Sequence, residues 1–249
     1  MTFFYFCVQK GWLEENPATR IRNLSIGQRE PVPFNRQQYD AVLTATRCNC
    51  AAAKPGHQCA QCQRVRVFIE LLRWSGLRVG DAAFLAKEKL HGDSLWIEYG
   101  TRHRQIKLLL PRETADELRS VPAGRATNPK YFFWSGRSKR KSEVSSWERV
   151  FAKVLARASR MCPDLFVLDK YGRPIAACLS MLRHTFAVEY LLAGMPIEDV
   201  SFLLGHSSVL LTQRLYGCWF FRPQKQLAAS QRAAWTAMKE SLRKRAGFD

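Results

Sequence analysis

The residues from Ser180 to Tyr216 constrain the fold of this chain more than any other stretch. They read Ser-Met-Leu-Arg-His-Thr-Phe-Ala-Val-Glu-Tyr-Leu-Leu-Ala-Gly, then Met-Pro-Ile-Glu-Asp-Val-Ser-Phe-Leu-Leu-Gly-His, then Ser-Ser-Val-Leu-Leu-Thr-Gln-Arg-Leu-Tyr. Two short helices and the start of a third are written into this run. Gly194 and Gly205 stand where left-handed caps end the first two. Pro196 fits the first turn of the second, and Ser207 or Ser208 can cap the third. That cadence puts Arg183, His206 and Tyr216 at helix starts, ends and faces where their tips can converge.

The same reading extends along the chain. Apolar periodicity and breaker residues predict helices over 35–46, 62–75, 79–86, 111–119, 143–158, 180–193, 196–204, 207–217 and 223–243. Strand character is confined to 87–110. There Leu95–Tyr99 and Ile106–Leu110 flank the polar tip Gly100-Thr101-Arg102-His103-Arg104, a small antiparallel sheet with a basic hairpin loop. The fold class expected is mainly α with a small antiparallel β-sheet.

Charge narrows the partner. The chain carries 39 Lys+Arg against 21 Asp+Glu, a formal net charge of +18, with a pI of about 10.0. That excess is the footprint of a polyanion, because neutralising phosphates releases their counterions. Arg102 and Arg104 of the hairpin are candidate double-stranded DNA contacts. So are Arg137, Lys139, Arg140 and Lys141, a run that reads equally well as a solvated loop; beside Tyr131-Phe132-Phe133-Trp134 it could track a DNA backbone. No apolar run reaches the ~18 residues of a membrane span. The N-terminus lacks a charged signal-peptide start, so an intracellular, cytoplasmic protein is expected. There is no phosphate-binding loop for a nucleotide cofactor and no paired-aspartate motif for magnesium.

An arginine, an imidazole and a phenol gathered on so basic a protein point to phosphodiester chemistry. The run resembles the C-terminal signature of the tyrosine recombinases, the phage integrase family. Its marks there are an (H/K)-x-x-R-H-T-F-type helix, a Leu-Gly-His-Ser turn and a tyrosine nine or ten residues beyond that histidine. Here Tyr216 comes ten residues after His206. Upstream, Ser75-Gly76-Leu77-Arg78-Val79-Gly80-Asp81 resembles the family box that carries the first catalytic arginine. The resemblance spans roughly 30–235 and implies an integrase-type catalytic domain. It implies site-specific DNA recombination in which Tyr216 attacks phosphorus to give a 3′-phosphotyrosyl intermediate. Arg78 and Arg183 would grip the phosphate oxygens, with His206 adding a hydrogen bond. The ester conserves the bond energy, so no cofactor is required. A prokaryotic, phage or mobile-element protein acting at the nucleoid and assembling as a tetramer on DNA is implied as well.

Two positions depart from the pattern. Ser180 stands where the family has His or Lys, and it reads either as a site residue or as a helix N-cap. The hairpin lysine that protonates the leaving 5′ oxygen falls near Thr101 or Arg102, neither of them a lysine, while Lys107 lies within the return strand. General acid–base help is worth ~10²–10⁴-fold. The alternative reading is therefore a weakened or silent DNA-binding remnant of a mobile-element integrase; a topoisomerase acting alone is a third. His184, beside Arg183, reads as structural. Residues 1–30 are expected to hold the last helix of a core-binding domain and the start of a linker, and residues 31–249 the catalytic domain.

Cys48, Cys50, Cys59 and Cys62 follow the spacing C-x-C-x₈-C-x-x-C, with His57 between them. Four thiolates this close could hold a structural zinc in an insertion over 48–62, or could remain reduced cysteines in a loop. Cys7, Cys162, Cys178 and Cys218 read as buried small hydrophobes.

Overall fold

The computed structural model describes residues 2–20, 32–47, 59–99, 104–124, 128–162, 167–168, 174–175, 177–219 and 236. The helices are α1 (Thr2–Gln9), α2 (Arg36–Ala45), α3 (Ala60–Ser75), α4 (Val79–Ala83), α5 (Arg112–Arg119), α6 (Arg140–Ala158), α7 (Ser180–Leu192), α8 (Ile197–Leu203) and α9 (Val209–Tyr216). Each expected helix that falls in the described residues is present, with ends shifted by a few residues. The stretch 223–243 lies outside them, apart from Thr236.

Local chemistry sets several boundaries. Asn35 caps α2 in a reciprocal capping box with Gln38, so two orphan amides are satisfied at once. Gly194 and Gly205 follow the last residues of α7 and α8 at φ of 91° and 64°, as their sequence positions required. Three cap details differ from expectation. Pro196 is the residue before α8 and not within its first turn. Ser208 precedes α9 without a capping bond from its side chain. Leu179, not Ser180, is the N-cap of α7, so Ser180 is the first helical residue.

The strands form two ladders. β1 (Leu90–His91), β2 (Ser94–Tyr99) and β3 (Arg104–Leu109) make an antiparallel sheet in the order β1-β2-β3. The pleat puts Leu95, Ile97, Tyr99, Ile106 and Leu108 in the core, while Trp96, Glu98, Gln105, Lys107 and Leu109 face outward. Lys107, paired with Trp96, is thus on the face away from Tyr99. The expectation that strands stop at 110 was too narrow. Val167–Leu168 (β4) pairs with Pro174–Ile175 (β5) in a second antiparallel ladder, too short to leave a period-two signal.

Two apolar clusters hold these elements. The larger packs α2, α3, the sheet, α5 and α6, with Phe68 and Trp147 stacked at 3.8 Å. Phe132 and Phe133 belong to it, while Tyr131 and Trp134 beside them are half-buried. Arg64 crosses beneath them and donates to the carbonyls of Pro122, Phe132 and Phe133 at 2.6, 3.2 and 3.1 Å. The smaller cluster gathers Phe186, Ala187, Val188, Leu191, Ile197, Val200, Leu204 and Tyr216 from α7, α8 and α9. Tyr216 is therefore anchored by its ring in a core. Of the four scattered cysteines only Cys7 is buried; Cys162 is half-buried, and Cys178 and Cys218 are exposed, so burial does not explain the last two.

Candidate active site

Arg183 is the hub of the site. It lies in the first turns of α7 and is only 8% exposed. Its Nη1 donates to the carbonyl of Gly76 at 2.6 Å and its Nη2 to the carbonyl of Leu204 at 2.7 Å. Gly76 ends α3 two residues before Arg78, and Leu204 ends α8 two residues before His206. One guanidinium thereby fixes both loops that deliver the other candidate groups.

Glycine is required at the first tie point and directly after the second. Gly76 has φ of 62° and Gly205 has φ of 64°, the left-handed region. A Cβ on Gly76 would lie 2.5 Å from the Phe186 ring, and one on Gly205 would lie 2.4 Å from the Tyr99 ring. The sheet enters the site through that second contact. The buried Tyr99 hydroxyl feels the charges of Arg183 and Arg78 without meeting Arg183 at hydrogen-bond geometry.

Tyr216 ends α9 with its phenol turned inward, 1% exposed. Burial pushes its pKa up to about 12, against the pull of Arg183. The hydroxyl meets His184 Nδ1 at 2.8 Å. His206 is buried, and its Nδ1 meets Thr212 Oγ1 at 2.7 Å. The tautomer in which Thr212 donates leaves Nε2–H available to an oxyanion. Burial, then Arg183 and Arg78, hold His206 down at about 4, and burial with Arg183 does the same for His184. Both imidazoles are neutral at pH 7.

Arg78, Arg183, His206 and Tyr216 thus share one electrostatic neighbourhood, Arg78 being the exposed member. Ser180 makes no hydrogen bond to any of them; it is exposed, and its Oγ lies 3.0 Å from Cys178 Sγ. His184, read from sequence as structural, contacts the phenol directly. The signal that could have found it was its place next to Arg183 on the same helix.

The basic run divides. Arg137 and Lys139 are exposed in the segment before α6, whereas Arg140 and Lys141 begin the helix, so this is only partly a loop. Arg140 pairs with Asp81 of α4 and lies 5.5 Å over the Phe84 ring. Arg102 lies outside the described residues, and of Arg104 only the backbone, paired with Tyr99, is described. Cys48 and Cys50 are also outside them. Cys59 is the N-cap of α3 and Cys62 is buried one turn later, so the proposed insertion runs into a helix. Among the described residues no group of three potential ligands is gathered for a metal. No helix among them is long and apolar enough to cross a membrane.

With this geometry in place, the comparisons with known proteins are direct. The phage integrase family pattern matches residues 41–217, and the chain belongs to that family. It is 28% identical over 155 residues to the tyrosine recombinase XerA of Thermococcus kodakarensis, covering 61% of this chain and 50% of that protein. It is 23% identical over 231 residues to XerC of Chlamydia trachomatis serovar L2, covering 91% of this chain and 66% of XerC. The chain therefore spans about half to two thirds of the length of these relatives. The fold is that of a Tn1549 transposon integrase solved with circular-intermediate DNA, with TM-score 0.61, 15% identity, and coverage of 92% and 75% of the two chains. A lambda integrase dimer on a core site gives TM-score 0.59 at 18% identity, covering 85% and 55%.

Proposed function

We propose that this chain carries out site-specific recombination, cutting and rejoining duplex DNA through a 3′-phosphotyrosyl intermediate on Tyr216. One observation carries the reading. Arg183 is a buried guanidinium that no carboxylate pairs with among the described residues; its partners are two carbonyls, and the charges it feels come from Arg78 and two phenols. A buried cation without a counter-ion is costly, and a bound phosphodiester would offset that cost. Arg183 has donors beyond the two it spends on carbonyls, and Arg78 supplies a second fork from the solvent side.

The chemistry follows from charge. As the Tyr216 oxygen attacks phosphorus, negative charge grows on the non-bridging oxygens, where preorganised guanidiniums and the His206 N–H stabilise it. Ser180 stays in this reading as a phosphate hydrogen-bonder at the mouth of the site. Arg102, Arg104, Arg137, Lys139, Arg140 and Lys141 serve as backbone contacts. No cofactor takes part in the transfer. Residues 31–249 form the catalytic domain, 1–30 the end of a core-binding domain and its linker, and the protein works in the cytoplasm at the nucleoid. A duplex nicked so that the cleaved piece diffuses away should leave a detergent-resistant adduct on the wild type and none on Tyr216→Phe. A wild type that binds DNA but never forms the adduct would instead make it a silent remnant.

Two finer readings have their own tests. The Cys48, Cys50, Cys59 and Cys62 thiolates hold a structural zinc, supported by Cys59 and Cys62 lying one turn apart at a helix start. Elemental analysis should find stoichiometric zinc, lost in Cys59→Ser; a metal-free, folded wild type refutes it. The chain assembles as a tetramer on paired sites through the helix expected over 223–243, in which Leu227, Ala234, Met238 and Leu242 recur on one apolar face. Deleting 224–249 should spare DNA binding and reduce the size of the complex in light scattering, whereas unchanged stoichiometry would place that stretch within its own subunit.

A further inference from the structure

The Tyr216 hydroxyl makes one hydrogen bond among the described residues, and its partner is an imidazole that the motif does not assign. His184 Nδ1 lies 2.8 Å from it, with the two rings 5.8 Å apart at 57°. The phenol comes from α9 and the imidazole from α7, so the contact is made by packing two helices and not by chain proximity. With the phenol as donor, Nδ1 is the bare, accepting nitrogen and the ring carries its proton on Nε2. The groups that face His184 are Arg183 on its own helix, His206 after α8 and Tyr216 on α9. None is a carboxylate, so among the described residues no carboxylate competes for the phenol's proton. Ser180, the neighbour on the same helix with a hydroxyl to offer, is turned to Cys178.

We propose that His184 is a catalytic residue, holding the Tyr216 phenol through Nδ1 and receiving its proton as the phenol oxygen attacks phosphorus. The inference rests on the reading of Tyr216 as nucleophile. In this step the Tyr216 O–H bond and the bond from phosphorus to the 5′ oxygen break, and the tyrosyl oxygen–phosphorus bond forms. The phenol proton goes to Nδ1, and the departing 5′ oxygen takes a proton from water. Rejoining reverses each transfer. In the free protein burial keeps the proton on the phenol, and burial with Arg183 keeps it off His184. A phosphate arriving at Arg183 and Arg78 brings negative charge beside His184 and raises its proton affinity when the proton must move.

His184→Asn separates holding from proton transfer, because the amide oxygen can accept the phenol's hydrogen bond but cannot take up a proton near neutrality. In single-turnover trapping on the nicked duplex, the variant should bind DNA like the wild type yet form adduct ~10²–10⁴-fold more slowly. Its rate should rise in proportion to hydroxide across neutral pH, where the wild-type rate is flat. A His184→Asn protein that traps at the wild-type rate with the wild-type pH profile overturns the proposal. The wild type alone gives a second test that does not depend on the variant folding: trapping should be slower in heavy water, and equal rates in the two solvents overturn the proposal. Failure of the nucleophile assignment is seen separately, as an adduct that persists in Tyr216→Phe.

Discussion

Arg183→Lys should abolish measurable adduct formation while leaving a protein that still binds DNA through its other basic residues. The lysine keeps the charge but not the fork. A single ammonium on a flexible stem cannot donate to the Gly76 and Leu204 carbonyls and also present a flat pair of donors to phosphate. Loss of one preorganised donor to a developing oxyanion costs ~10²–10³ in rate, and here the loops carrying Arg78 and His206 lose their tie as well. A decrease in trapping of at least ~10³-fold is therefore expected. The orphaned carbonyl adds a stability loss of about 1–3 kcal/mol. Single-turnover trapping and thermal unfolding on one preparation check both parts. Near wild-type trapping would show that Arg183 is only a structural tie.

Gly205→Ala should be the most damaging single methyl in the described fold near the site. The left-handed backbone costs an L-residue roughly 1–2 kcal/mol, and the new Cβ would sit 2.4 Å from Tyr99 ring carbons. Overpacking of that kind adds about 1–3 kcal/mol. Relief needs either a shift of the Tyr99 ring or a movement of the α8 end, and the latter displaces Leu204 O from Arg183 and His206 from Thr212. Gly194→Ala is the internal control, because Gly194 has φ of 91° but nothing within 4 Å of its would-be Cβ. It should lose about 1 kcal/mol from strain alone and keep full trapping. Equal effects of the two substitutions would show that Tyr99 does not hold the loop.

These two outcomes depend on features the sequence made visible to very different degrees. The glycine caps were legible because a C′ position has a local cause, a positive φ, and Gly194 and Gly205 stand where apolar periodicity ends. The helix punctuation already suggested that Arg183, His206 and Tyr216 could converge, but Arg78's place beside them was legible only through motif resemblance, since spacing does not show which helix faces meet. Arg183's bonds to Gly76 and Leu204 join residues far apart in sequence, and nothing local announces them. His184 was passed over for the same reason. Its neighbour Arg183 accounted for the motif, while its own partner lies on another helix. The role of the 137–141 run stayed open because basic residues beside a run of rings look the same whether the rings pack in the core, as Phe132 and Phe133 do, or lie along DNA. The short β4–β5 ladder has two residues per strand, too few for any period to be read.

The claim at the centre of this account is that the Tyr216 oxygen becomes covalently joined to a DNA 3′ phosphate. Its most direct test is the residue-level mapping of the trapped adduct: digestion of the wild-type protein–DNA conjugate by protease and nuclease, followed by mass spectrometry of the modified peptide. The account expects a nucleotide linked through its 3′ phosphate to Tyr216, and an unmodified peptide from Arg183→Lys. A nucleotide on any other residue, or linkage through a 5′ phosphate, would contradict it.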